Sequence, residues 1–178
     1  CGFHIAFIAT HFPPYLPDKG LGLSIGANAL ALVGLFNIFG SYLFGMWGDK
    51  RSKKYLLSGL YAARSVVMIA FLALPLTPFT ALTFAAAMGF LWLGTVPLTS
   101  GLIGQIFGIR YLSTLYGIVF LSHQVGSFFG AWSAGLMFDL TGSYDSIWAA
   151  SVVLGFAAAL VHMPIPDRPV ARLREAAA

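Results

Sequence analysis

The chain has 178 residues, 58% of them hydrophobic and only 9% charged, and a mean hydropathy of +0.84. A water-soluble globule carries roughly 25% charged residues, so there is too little polar side chain here to coat one. The single cysteine, Cys1, excludes an internal disulfide framework and a CxxC metal or redox site, and the net charge of +4 forms no continuous basic stripe, which excludes nucleic acid as a partner.

A lipid bilayer is the partner this composition fits, and a helix needs about 20 apolar residues to cross one. The first apolar run, from Cys1 to about Tyr15, is closed by Pro13, Pro14, Pro17 and the turn Asp18, Lys19, Gly20. It is too short to cross alone, lacks the basic start and small-residue cleavage site of a signal peptide, and is read as a truncated first helix of a fragment. Five complete runs follow, at about 25–47, 55–76, 79–108, 114–138 and 146–164. The expected fold is all-α: a membrane bundle of six transmembrane helices over residues 1–166, with a tail at 167–178.

Alternating the six segments across the membrane collects Lys50, Arg51, Lys53, Lys54, Arg110, Arg168, Arg172 and Arg174 on one side, eight of the ten basic residues. Lys19 lies opposite with Asp18, Asp139 and Asp145, and Arg64 lies inside a span. The positive-inside rule makes the basic side, and with it the C-terminal tail, cytoplasmic.

Within the spans, small residues recur at Gly26, Gly34, Ser41 and Gly45 and again at Gly126, Gly130 and Gly135. Helices approach closely at such positions, where no hydrophobic drive exists between them. Polar groups cluster near mid-depth: His4, Asn37, Arg64, Trp92 with Thr95, and His123 with Gln124. These are the candidate substrate-binding residues. Each also has a plainer reading, a hydrogen bond across to a neighbouring helix, and for Arg64 the structural anchor and the substrate ligand stand level. No carboxylate lies at its depth, so its charge must be met by carbonyl or hydroxyl oxygens such as that of Tyr61, by a bound anion, or by residues outside the chain. His4 and His11 share a helical face about 10 Å apart, too far for one metal ion; no metal and no cofactor are expected. Pro97, beside Thr95 and Thr99, predicts a hinge or kink in the fourth span.

The densest charge cluster, GMWGDKRSKK at 45–54, joins the second and third spans. It resembles the loop signature of the major facilitator superfamily, with Gly45, Asp49, Lys50, Lys53 and Lys54 matching and Ser52 in place of the second glycine. The stretches at 92–108 and 115–145 resemble bacterial members related to the monocarboxylate porters. The resemblance implies the C-terminal half of a twelve-helix transporter, acting with a missing N-terminal six-helix half by alternating access, in a bacterial inner membrane. It further implies a small organic anion such as a monocarboxylate as substrate, bound near the midplane, and a gating role for the loop residues Gly45, Asp49, Lys50, Lys53 and Lys54.

Two other classes compete. Ser100-Gly101 with His162 is the minimal spelling of an intramembrane serine protease of rhomboid type, which needs the serine within hydrogen-bond reach of a base and donors for an oxyanion. Leu98 stands where that family has glycine, and no His-Asn pair occupies the second span. GLSIG at 22–26 spells a nucleophile elbow but follows no strand. A receptor or scaffold gives no reason for Gly45 and Asp49 to precede a basic turn.

Overall fold

A computed structural model describes residues 1–170; of the predicted tail at 167–178, residues 171–178, with Arg172 and Arg174, lie outside the described residues. The elements are α1 (Gly2–Asp18), α2 (Leu23–Lys50), α3 (Lys53–Ala73), α4 (Pro78–Phe90), α5 (Thr95–Phe107), a 3₁₀ turn at Ile109–Tyr111, α6 (Leu112–Thr141) and α7 (Asp145–His162). No strand occurs among the described residues. Four stretches are long and apolar enough to cross a membrane: Leu23–Lys50, Lys53–Ala73, Pro78–Phe107 and Asp145–His162. The two other expected spans fall short by different routes. α1 has only 17 residues, and α6, although 30 residues long, is diluted by Ser122, His123, Gln124, Ser127 and Ser133.

Two expectations need amendment. Pro13, Pro14 and Pro17 do not end the first helix, which continues to Asp18. The missing N–H groups cost hydrogen bonds, but Phe12 and Leu16 are buried in the core and Gly26 of α2 sits against the backbone of Pro13, so packing overrides local propensity. The span at 79–108 is two helices, α4 and α5, separated at residues 91–94. α4 starts sharply because Thr77 and Thr80 form a capping box ahead of Pro78, and α6 stops at Gly142, whose φ of 69° suits only glycine well.

The bundle is built from three tight pairs: α2 on α4, α1 on α6, and α3 on α7. Glycines set each approach. A Cβ on Gly40 would run into the backbone of Phe90, and one on Gly89 into the backbone of Val33. Gly126 and Gly130, four apart on α6, seat the backbone of Phe3, and Gly155 of α7 takes the Ser65 side chain. Around these crossings two apolar cores form. One, near the acidic turns, is aromatic, with Phe71 and Phe84 stacked at 4.4 Å and Phe7 edge-on to Trp148 at 4.9 Å. The other, toward the basic loop, holds Phe44, Leu57, Leu60, Tyr61, Leu98, Leu102 and Ile106.

Charge is segregated end to end. Tyr15 and Tyr144 meet at 6.1 Å beside Asp18 and Asp145 at one end. At the other, Ser52, Gln105 and Asp167 come together from the loop before α3, the end of α5 and the segment after α7.

Candidate functional site at the break between α4 and α5

The break between α4 and α5 follows from Pro97. Proline has no N–H to give the carbonyl four residues back, that of Leu93, and its ring crowds that oxygen; Val96 N–H instead bonds Leu93 O at 2.9 Å. Breaking a helix inside an apolar bundle leaves backbone groups that must find partners. Arg64, fully buried on α3, donates from Nε (3.0 Å) and Nη2 (2.6 Å) to Leu91 O, and from Nη2 to Trp92 O. Asn37 of α2 accepts the Leu93 N–H at 3.0 Å on Oδ1, and the Ser41 hydroxyl bonds the same oxygen at 3.2 Å. The guanidinium therefore sits at the C-terminal, negative end of the α4 dipole, with the Tyr61 ring 5.4 Å away. Its Nη1 also reaches Cys1 Sγ at 3.3 Å, and that sulfur lies 3.6 Å from Thr95 Oγ1.

Four of the predicted residues thus converge on the break: Asn37, Arg64, Trp92 and Thr95. His4 does not join them. Its Nε2 bonds the Ser151 carbonyl of α7 at 2.7 Å, and its Nδ1 is buried without a partner. His11, near the acidic end, spans to Ala131 O (2.9 Å) and the Tyr144 hydroxyl (3.2 Å).

Beside the break, between the first residues of α1 and helices α5, α6 and α7, lies a cavity of about 630 Å³. Thr95 and Thr99 line it from α5, His4 from α1 and His123 from α6. Tyr116, Phe120 and His123 form a ladder of rings along one face of α6, with Phe120 and His123 nearly parallel at 5.4 Å. Across the cavity, Tyr61 and His162 approach to 5.2 Å. Gln124 points elsewhere: it is exposed and does not line the space, as its 100° offset from His123 allows. Tyr116 and Phe120 were missed in the sequence, although their spacing of seven and three from His123 is the signal for a shared helical face. No three His, Cys, Asp or Glu side chains converge on a metal geometry among the described residues.

The loop residues gather around the lower end of α5. A Cβ on Gly45 would lie 3.9 Å from Pro97 Cβ near the start of α5, Gly48 packs under Leu98, and Lys53 Nζ donates to Gln105 Oε1 at 3.3 Å. Asp49 and Lys50 are exposed, and Lys54 lies 5.0 Å from the Tyr55 ring centre. The Ser52 hydroxyl donates to Asp167 Oδ2 at 2.7 Å; that bond, with the nearby Lys54 and Arg168, holds the carboxyl below the usual carboxylate range. The serine-protease geometry is not supported. Ser100 donates to Val96 O and Pro97 O of its own helix, and His162 Nδ1 bonds Ala158 O, so the two side chains do not pair.

No family model matches the chain, but individual proteins do. It is 29% identical over 178 residues to YcxA of Bacillus subtilis, an uncharacterized MFS-type transporter, an alignment covering 97% of this chain and 43% of that one. It is 28% identical over 101 residues to YhjX of Escherichia coli, likewise an uncharacterized MFS-type transporter, covering 57% and 25%. Human monocarboxylate transporter 12 matches at 27% over 165 residues, covering 86% and 32%. The chain spans less than half the length of these curated relatives.

Proposed function

We propose that this chain, which belongs to the major facilitator superfamily, forms the C-terminal half of a secondary transporter that carries a small organic anion, such as a monocarboxylate, by alternating access. The observation that carries the reading is the break between α4 and α5 beside a polar-flecked cavity, since transporters build midplane sites where helices are interrupted. Support for the missing half comes from α2 and α6. Both leave rows of large side chains uncovered, Leu35, Ile38, Phe39 and Tyr42 on one and Val125, Phe128, Phe129 and Trp132 on the other, which a second bundle would cover. The charge segregation supports a cytoplasmic basic end in a bacterial inner membrane.

In the full-length protein His123 would meet the anion: it lines the cavity, its neutral ring donates a hydrogen bond, and a proton taken up on the ring adds positive charge toward the anion. His123→Ala should weaken carboxylate binding several-fold and flatten its pH dependence, as read by equilibrium binding to proteoliposomes. Asn28→Ala, at an exposed position outside the cavity, should do neither; equal effects from the two would remove the anion site from α6. For orientation, cysteines placed singly at Ser52 and Ser143 in a Cys1→Ser background should label from opposite sides, Ser143 from outside intact cells. Labelling of both from outside would reverse the topology.

A further inference from the structure

We propose that residues 163–170 are a releasable strap that latches the lower half-helix α5 to the basic loop before α3. α5 is a 13-residue helix, joined to α4 only through the break at 91–94 and ending at Gly108, whose φ of 79° turns the chain away. Both of its ends are thus natural pivots. At its upper end Arg64 and Asn37 satisfy the Leu91 and Trp92 carbonyls and the Leu93 N–H of the break directly, so those bonds do not depend on where α5 points. Its lower end is held differently. After α7 the chain crosses beneath α5, where Gln105 Nε2 donates to Asp167 O at 2.5 Å and Val170 N–H donates to Ile106 O at 3.0 Å. Asp167 Oδ2 in turn accepts the Ser52 hydroxyl, and Lys53 reaches Gln105. Ile165 and Val170 rest against the core formed by Leu98, Leu102 and Ile106.

The strap suits attachment and release alike. Pro164, Pro166 and Pro169 fix three of its eight φ angles, so little conformational entropy is lost on docking and a few bonds suffice to hold it. Those bonds are at the rim of the bundle: Gln105 is exposed and Asp167 only half-buried. Solvent-accessible hydrogen bonds exchange readily for water and are individually weak, unlike the buried bonds at the break. When α5 tilts about Gly94, the strap must let go first. A permanent brace would instead be buried.

The test does not need transport. In a background with no other cysteine, Thr99→Cys on the cavity face of α5 is labelled by an impermeant thiol reagent added to inside-out vesicles carrying the full-length protein. Asp167→Ala and Ser52→Ala should each raise the labelling rate about three- to tenfold, the range expected for loss of one such bond, and the double variant should add little, because both remove the same bond. A disulfide between Ile106→Cys and Val170→Cys should slow labelling at position 99, read by peptide mass spectrometry, below the parent rate, and reduction followed by removal of the reductant should restore it; this arm holds even where an alanine variant folds poorly. Labelling rates that match the parent in every case would overturn the strap. The proposal rests on the transporter reading only for its consequence, arrest of uptake by the same disulfide. Raised labelling without uptake of any anion sinks the transporter reading alone, whereas uptake that persists through the disulfide overturns the strap alone.

Discussion

Arg64→Leu should destabilise the bundle by about 2–4 kcal/mol, measured as a loss of thermal stability in detergent, because it strands the Leu91 and Trp92 carbonyls inside an apolar core. A buried acceptor left without a donor costs about 1–3 kcal/mol. Leucine also removes the desolvation cost of the guanidinium, which offsets part of that loss and keeps the expected figure below the simple total. Arg64→Lys should recover some of the stability, since an ammonium can reach one carbonyl but lacks the planar fork that serves both. The experiment also separates the two roles left level by the sequence. A leucine variant of unchanged stability that no longer binds a carboxylate would make Arg64 a substrate ligand rather than the cap of a broken helix.

Gly40→Ala should cost about 1–3 kcal/mol, the usual scale for forcing a methyl into a packed contact, because the new carbon meets the backbone of Phe90, which cannot turn aside as a side chain would. Gly34→Ala, six residues away on the same helix, meets nothing within 4 Å. It should be neutral or stabilising by up to about 1 kcal/mol from improved helix propensity. The contrast is read by comparing unfolding midpoints of the two variants. Equal destabilisation would mean that α2 and α4 are not seated on Gly40.

Much of the architecture is legible in the sequence, for a physical reason: apolar run length and the placement of Lys and Arg respond to the membrane, which acts on every residue locally. The close approach at Gly126 and Gly130 was legible in part, since small residues four apart suit either helix packing or a backbone open to a cavity, and Gly126 both packs on Phe3 and lines the cavity. The partner of Arg64 was not. Main-chain carbonyls carry no sequence signature, so the search for a counter-charge could name the class of oxygen but not Leu91 or Trp92. Pro97 announced a distortion but not its site, because proline breaks the turn before itself and the break settled where Asn37 and Arg64 could serve both open ends. Pro13 and Pro14 misled in the opposite sense, as their neighbours Phe12 and Leu16 bury enough to hold the helix together. The strap was invisible because its bonds join residues 52, 105 and 167, polar groups with no periodic pattern.

The pairing of helices has a consequence for how such a chain is made. None of the tight pairs joins neighbours in sequence: α2 closes on α4, α1 on α6 and α3 on α7. A ribosome delivers helices one at a time, so α1 must remain in lipid or against the insertion machinery while four more helices emerge. α3 must wait in its turn, through three more helices, until α7 arrives to accept the Ser58 hydroxyl on Ala159 O and the Ser65 hydroxyl on Val152 O. Until then these hydroxyls can turn only to the backbone of their own helix, and the glycine faces lie open to incorrect partners. The α3–α7 contact is therefore settled only when α7 leaves the ribosome, and a product that stops short of α7 should be recognised by membrane quality control through the unfilled side of α3.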